Sequence, residues 1–158
     1  MNFQIRKALP DDVSSIVGLL REFAEFEKLT DYLEITEQKL SDALFGTDAF
    51  VHCLVAYRGL APAAYSLMYP NFASFRGQKG MYLEDIYITP DHRGSGLGAA
   101  MLAEIAKLAR SQGCERIDFV VLDWNAPAIK FYEKYGAVRD DQERRFKFID
   151  DAFVKLCS

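Results

Sequence analysis

The sequence predicts an α/β protein of the α+β kind, with a mixed, mostly antiparallel central sheet and helices on both faces. Three observations predict it. Two β-rich segments around a short turn lie in the first half, a glycine-rich loop opens the most regular amphipathic helix after mid-chain, and another strand follows that helix. A strand, a helix and a second strand in this order form a right-handed parallel unit. One parallel βαβ unit is therefore expected within an otherwise antiparallel sheet.

The first half predicts three strands and two helices. Hydrophobic periodicity, an N-cap at Thr36 and turn residues at Arg58-Gly59 set the boundaries. The predicted elements are a strand over residues 3–7, a helix from 10 to 24, a helix from 36 to 45, and strands over 51–57 and 61–69. The two last strands are expected to form a hairpin.

The second half predicts the βαβ unit and a final pair of elements. Glycines and a proline separate its periodic segments. The expected order is a polar loop over 71–80, a strand over 81–89, a helix over 98–112, a strand over 117–122, a helix over 126–135 and a strand over 145–149.

Length and composition favour one domain over residues 1–158. Half of the 158 residues are hydrophobic, which is enough for one compact core. The net charge of −4 argues against nucleic acid as a partner, because a face that binds nucleic acid is basic. No segment has the apolar length of a membrane span or a signal peptide, so we expect no membrane contact and a cytoplasmic location.

Cysteine and histidine usage predicts neither disulfides nor a metal. Cys53, Cys114 and Cys157 are widely spaced and form no CxxC pair. His52 and His92 are the only histidines, and they lack the spacing of a zinc site. We expect a reduced protein without a metal, with Cys53 and Cys114 buried among apolar neighbours.

A glycine-rich loop lies directly after a predicted strand and opens the helix over 98–112. It comprises Arg93, Gly94, Ser95, Gly96, Leu97 and Gly98. Glycines let a ligand approach the backbone closely, and the free amides of a helix N-terminus favour phosphate. The expected ligand therefore carries a pyrophosphate.

Two common phosphate-binding loops fit poorly. A Walker A loop requires lysine where Ala99 follows Gly98. The Rossmann fingerprint matches Gly94, Gly96 and Ala99 formally, but it belongs to a first β-α turn, and here only about one βαβ unit remains. A glycine turn without any ligand is the other alternative for the loop taken alone.

Two motifs together resemble a known family. Residues 93–98 resemble the R/Q-x-x-G-x-G/A signature of GNAT acetyltransferases, and residues 125–137, NAPAIKFYEKYGA, resemble the second motif of that family. Residues 82–88, YLEDIYI, and 121–125, VLDWN, are similar to the diamine (spermidine/spermine) and thialysine N-acetyltransferase group. The resemblance implies the GNAT fold with a CoA-binding parallel βαβ core, acetyl-CoA as co-substrate, a small-molecule amine as acceptor, and a homodimer.

The resemblance also implies site residues. Backbone groups of the strand before the loop would bind the pantetheine arm like an added strand. The implied acetyl-CoA contacts are Ile86, Tyr87, Ile88, Arg93, Gly94, Ser95, Gly96, Leu97, Gly98, Ala99, Asn125, Ala128, Tyr132 and Lys134. The implied acceptor contacts are Glu27, Glu84, Asp85 and Trp124. Ser74 stands where the polyamine enzymes carry an acid, so a thialysine-like or smaller amine is also open.

The chemistry requires a base and an acid. An alkylammonium has a pKa of about 10.4 and must lose a proton before it attacks a thioester. Resemblance favours Glu84 as that base, directly or through water, and Tyr132 as the acid that protonates the leaving thiolate. Because neighbouring strand residues point to opposite faces, only one of Glu84 and Asp85 is expected to face a given cleft.

Several alternatives remain at this point. Glu27 could be an exposed helix residue, Trp124 could belong to the core, Asn125 could order its loop, and Lys134 could be solvated. Two other functions also remain: acetylation of a protein lysine or N-terminus, and a CoA-binding regulatory module without turnover.

Overall fold

The computed structural model describes residues 2–157, which divide into two compact units. The first unit ends at Val120 and the second begins at Val121. The sheet and three helices lie in the first unit, and two further helices lie in the second.

The sheet of the first unit has its strands in sequence order. Its members are β1 (Gln4–Lys7), β2 (His52–Arg58), β3 (Ala61–Ala73), β4 (Gln78–Ile88) and β5 (Arg116–Asp118). The first three pairings are antiparallel, and β4 and β5 are parallel. This arrangement confirms the predicted mixed, mostly antiparallel sheet with one parallel βαβ unit.

The helices confirm the predicted periodicity, with ends that differ from the predicted ones by at most three residues. They are α1 (Val13–Glu27), α2 (Glu37–Phe45), α3 (Leu97–Ser111), α4 (Ala126–Lys134) and α5 (Asp150–Leu156). Thr36 caps α2 as expected, since its side chain accepts a hydrogen bond from the amide of Lys39 at 3.1 Å. The last helix, α5, was not predicted.

Two apolar clusters pack against opposite faces of the sheet. On one face α3 buries residues spaced along a single helical stripe, Leu97, Met101, Ile105 and Leu108. On the other face α1 and α2 bury Val13, Ile16, Val17 and Leu40 against Val55, Tyr65, Leu67 and Tyr87. The sheet is therefore covered on both sides, as predicted for this fold class.

The predicted polar loop over 71–80 is wrong. β3 continues to Ala73 and β4 begins at Gln78, so the turn between them is only Ser74–Gly77. Gly77 has φ = 61°, which closes this turn at low cost in a glycine. The sequence predicts a loop here because the residues are polar. In the structure they are strands, because pairing between β3 and β4 stabilises them.

The strand predicted over 145–149 is also wrong. The described structure assigns no strand there, and α5 begins at Asp150. An alternating pattern specifies which residues would share a face, but a strand forms only where a partner edge receives its hydrogen bonds. Asp150 and Asp151 lie in the first turn of α5, where carboxylates are favourable to the helix dipole. The strand predicted over 117–122 exists but is shorter, at Arg116–Asp118.

Three further features concern cysteines, metals and membranes. All three cysteines are free, and Cys53 and Cys114 are buried as expected. Within residues 2–157 there is no group of three metal-ligating side chains. Among the helices described, none has the length and hydropathy that crossing a membrane requires.

Candidate active site

The glycine loop exposes bare backbone at the start of α3. Gly94 and Gly96 have φ values of 72° and 86°, in the left-handed region that favours glycine. A Cβ atom at either position would meet no protein atom within 4 Å. Gly96 supplies no side-chain cap to α3, and in the first turn the Leu97 amide makes a long hydrogen bond of 3.4 Å to Ser95 Oγ. The loop thus fits an anionic ligand such as a pyrophosphate.

The side chains of Ser95 and Leu97 anchor the glycine loop to the rest of the first unit. The Leu97 side chain is buried in the core and anchors the first turn of α3. The Ser95 hydroxyl donates to the carbonyl of His92 at 2.5 Å and so holds the loop to the turn before it. Ser95 and Leu97, both predicted to bind cofactor, can therefore contribute mainly through their backbone.

Arg93 packs against the first unit's own residues. Its guanidinium lies 4.6 Å from the centre of the Phe26 ring and 5.6 Å from that of Tyr87. Its Nε donates to the carbonyl of Ile88 at 3.0 Å. These contacts tie the glycine loop to α1, and a role for Arg93 in binding a cofactor phosphate stays a prediction.

One edge of β4 is left open beside the loop. The short strand β5 pairs only with Gly80–Tyr82. In the part of the chain that the structure describes, residues 83–88 of β4 have no strand partner on that side. The open edge includes the segment 86–88 that was predicted to bind the pantetheine arm by backbone hydrogen bonds.

A β-bulge sets the direction of the two candidate carboxylates. Leu67 pairs with Asp85 while Met68 pairs with Leu83, so Glu84 is an extra residue in β4. The expected alternation is broken at this point. The prediction that Glu84 and Asp85 point to opposite faces is therefore wrong.

Two tyrosines of β3 show that both carboxylates lie on the α1 face. The Tyr65 hydroxyl donates to Asp85 Oδ2 at 3.2 Å, and the Tyr69 hydroxyl donates to Glu84 Oε2 at 3.0 Å. Tyr65 and Tyr69 are separated by an even number of positions on β3, so their side chains lie on the same face of the sheet. Tyr65 packs in the apolar cluster under α1, which identifies that face. Glu84 and Asp85 therefore share one face.

An aromatic wall adjoins Glu84. The Tyr69 ring stacks on Tyr82 with ring centres 5.3 Å apart, and Phe50 contacts Tyr69 edge-on at 6.1 Å. Such packing fixes the orientation of the Tyr69 hydroxyl that bonds to Glu84.

The electrostatics of this face are strongly acidic. Burial, together with the charges of Glu84 and Glu27 and against the hydrogen bond from Tyr65, raises the pKa of Asp85 to about 7. Burial also raises the pKa of Glu27. Glu27, at the end of α1, is thus close enough to Asp85 to act on it electrostatically. We refer to Glu27, Glu84 and Asp85 as the acidic cluster.

The second unit holds the remaining predicted site residues. Asn125 caps α4, because its Oδ1 accepts from the amide of Ala128 at 3.3 Å. Burial raises the pKa of Tyr132 to about 12. The Lys134 ammonium lies 5.6 Å from the ring centre of Tyr135. Trp124 is 52 % exposed, so it does not belong to the core.

Sequence reasoning missed Tyr65 and Tyr69. Both lie in an apolar run that was interpreted only as strand, and their partners depend on the β3–β4 register. A tyrosine at alternate positions of a buried strand is the available signal, since a buried phenol requires a hydrogen-bond partner.

Comparison with known proteins decides the family. The profile described as "Acetyltransferase (GNAT) family" matches residues 15–137, well over half of the chain. The chain belongs to the GNAT acetyltransferase family. As a GNAT acetyltransferase it uses acetyl-CoA, for which the exposed glycine loop and the open edge of β4 are suited.

Relatives narrow the reaction to acetyl transfer onto an amine. This GNAT protein is 39% identical over 141 residues to Thialysine N-epsilon-acetyltransferase from Bos taurus, covering 84% of this chain and 82% of that one. It is 37% identical over 164 residues to the Sus scrofa protein of the same name, covering 96% and 95%. An integron cassette protein from V. cholerae shares the fold, with a TM-score of 0.81 and 22% identity over 99% of this chain and 98% of that chain.

Proposed function

We propose that this enzyme transfers the acetyl group of acetyl-CoA to a primary amine of a small diamine, a polyamine or a thialysine-like amino acid. The observation that carries the proposal is the placement of Glu84 and Asp85 on one sheet face, with Glu27 acting on Asp85. Within residues 2–157, none of these three carboxylates forms an ion pair with a protein cation. An acceptor with one or more ammonium groups would supply the missing positive charge.

Glu84 serves as the base in this proposal. The ammonium proton passes to the Glu84 carboxylate, directly or through one water, and the freed nitrogen lone pair attacks the acetyl carbon. The hydrogen bond from Tyr69 supports this role because it fixes the carboxylate while leaving Glu84 exposed to an incoming acceptor. Glu27, Asp85 and Trp124 are the other proposed contacts of the acceptor.

Tyr132 serves as the acid. As the new C–N bond forms and the C–S bond breaks, the phenol proton passes to the departing sulfur. With its pKa raised by burial to about 12, the phenol carries its proton at neutral pH.

Acetyl-CoA is held by backbone in this proposal. The amides of the glycine loop and of the first turn of α3 bind the pyrophosphate, and the edge of β4 at residues 86–88 binds the pantetheine arm. Asn125 contributes by capping α4, which carries Tyr132.

The test is thiol release from acetyl-CoA with a panel of putrescine, spermidine, spermine, thialysine, lysine and a lysine peptide. We expect turnover on at least one free amine and a loss of kcat of about 100-fold in Glu84→Gln and in Tyr132→Phe. Tyr135→Phe is the matched control, because Tyr135 lies three residues from Tyr132 at the end of the same helix. That control should keep wild-type kcat.

Two results would contradict the proposal. Turnover on the lysine peptide that exceeds turnover on every free amine would assign the acceptor to a protein. Equal activity of Tyr132→Phe and Tyr135→Phe would remove Tyr132 from the reaction.

A homodimer is also proposed, on the resemblance to the diamine and thialysine group alone. Light scattering on the purified protein measures it directly. A mass near twice the 17.9 kDa of one chain supports the dimer, and a mass of one chain rejects it.

A further inference from the structure

Two tyrosines on one strand each hold one carboxylate of the next strand. Tyr65 bonds to Asp85 and Tyr69 bonds to Glu84, and the bulge at Glu84 is what brings both carboxylates to the same face. The two pairs differ in their surroundings. Tyr65 is fully buried, while the Tyr69 pair lies at an exposed position beside Tyr82 and Phe50.

We propose that Tyr65 and Tyr69 are positioning residues with separate tasks: Tyr65 holds Asp85 as a subsite for a second ammonium group of the acceptor, and Tyr69 holds Glu84 for proton removal. This inference rests on the proposed function. The separation of tasks rests on burial and bonding, because Glu84 is exposed and bonds to Tyr69, whereas Asp85 is more buried and bonds to the fully buried Tyr65.

The inner subsite has no positive neighbour in the described structure. The titratable groups that face Asp85 are Glu27 from α1, Tyr65 from β3, Glu84 on its own strand and Cys53 from β2. All of them are neutral or negative. The hydrogen bond from Tyr65 stabilises an ionised Asp85, and a bound ammonium group would add the positive charge that these neighbours lack.

The Tyr65 hydroxyl thus acts on acceptor binding through the protonation of Asp85. Burial raises the pKa of Asp85 to about 7, and the hydrogen bond from Tyr65 opposes this rise. Removing the hydroxyl raises the pKa further. Fewer molecules then carry the Asp85 charge at pH 7, and a second ammonium group binds more weakly.

The experiment compares Tyr65→Phe and Tyr69→Phe on putrescine and on butylamine, which lacks the second amine. Tyr65→Phe should raise the KM for putrescine about tenfold, leave the KM for butylamine within about twofold, and move the pH midpoint of the putrescine KM upward. Tyr69→Phe should lower kcat on both amines about tenfold, with a smaller change in KM.

Tyr57→Phe is the matched control. Its hydroxyl also donates to a buried carboxylate, Asp12 Oδ1 at 2.9 Å, but this pair is not part of the acidic cluster. Tyr57→Phe should lower the free energy of unfolding without changing the ratio of the KM for putrescine to the KM for butylamine. If Tyr65→Phe does not fold, Asp85→Asn removes the charge of the same pair and should likewise abolish the preference for putrescine.

A readout without turnover completes the test. Calorimetry in two buffers of different ionisation enthalpy counts the protons released when putrescine binds. At pH 7 the wild type should release more protons than Asp85→Asn, since Asp85, with its pKa raised to about 7, is partly protonated there. Equal proton release, or an equal KM effect of Tyr65→Phe on both amines, overturns the inference even when the wild type acetylates putrescine. Absence of turnover on every free amine is a different result and rejects the proposed function itself.

Discussion

Glu84 and Asp85 are adjacent in sequence and lie on the same face of the sheet, because Glu84 is the extra residue of a β-bulge. Burial, and after it the neighbouring charge of Glu84, disfavours the ionisation of Asp85 and raises its pKa. The protein therefore carries a carboxylate whose position costs stability, as is common at functional sites.

The cost at Asp85 can be measured. Its pKa is about 7 in the folded protein and about 3.8 in the unfolded chain, so the folded state binds the proton more tightly. Stability is then lost as pH rises from about 4 to about 7. Asp85→Asn should raise the free energy of unfolding at pH 8 by about 2 kcal/mol or more, and by much less at pH 4. Urea unfolding at both pH values checks this, and a less stable variant at pH 8 would contradict it.

The pair of Arg6 and Asp12 should show the opposite pH dependence. Arg6 donates two hydrogen bonds to the buried Asp12, at 2.6 and 3.0 Å, and thereby lowers the pKa of Asp12 from 3.8 to about 2. Its stabilisation is present above pH 4 and is lost as pH falls through about 2. Asp12→Ala should cost about 3 kcal/mol at pH 7 and less at pH 2.5, by urea unfolding.

An exposed ion pair provides the control for Asp12. Lys107 Nζ lies 2.6 Å from Glu104 Oε1, but the two side chains are 71% and 40% exposed. Glu104→Ala should change stability by no more than about 0.5 kcal/mol. A loss as large as that of Asp12→Ala would show that burial is not what distinguishes the two pairs.

Gly96→Ala should weaken acetyl-CoA binding beyond its effect on stability. The φ of 86° costs an alanine about 1 kcal/mol, and its Cβ would project into the space proposed for the pyrophosphate. We expect the KM for acetyl-CoA to rise about tenfold or more. Gly59→Ala, at φ = 62° with the same open surroundings, should lose similar stability while its KM stays at the wild-type value. Equal KM effects in both variants would argue against the loop as the cofactor site.

Gly80 should be intolerant of a side chain because Asn71 lies against it. A Cβ at this position would fall within van der Waals overlap of Asn71 Oδ1 and 3.0 Å from the Cγ atom of Arg116. Gly80→Ala should cost about 1 to 3 kcal/mol by urea unfolding. The double variant with Asn71→Ala should recover part of that loss, and strictly additive costs would contradict the assigned clash.

Sequence patterns were sufficient for α1 to α4 and for the glycine loop, but not for the β3–β4 hairpin or for the segment after α4. The stripe of Leu97, Met101, Ile105 and Leu108 predicts α3 within one residue, because helical periodicity is a local property. The segment from Asn71 to Gly80 was interpreted as a loop, since its polar residues gain their structure only by pairing across β3 and β4. The strand predicted over 145–149 failed for the converse reason, as its alternation found no partner edge in the described structure.

The sequence by itself determined the family and the position of the glycine loop, and it predicts the residues of the reaction. These depend on local spacing, on the conformations open to glycine and on motifs in residues 93–98 and 125–137. The tertiary structure alone decided that Glu84 and Asp85 share a face and that Tyr65 and Tyr69 hold them. A bulge arises from the register between two strands, and register is set by packing over the whole sheet, which no short window of sequence contains.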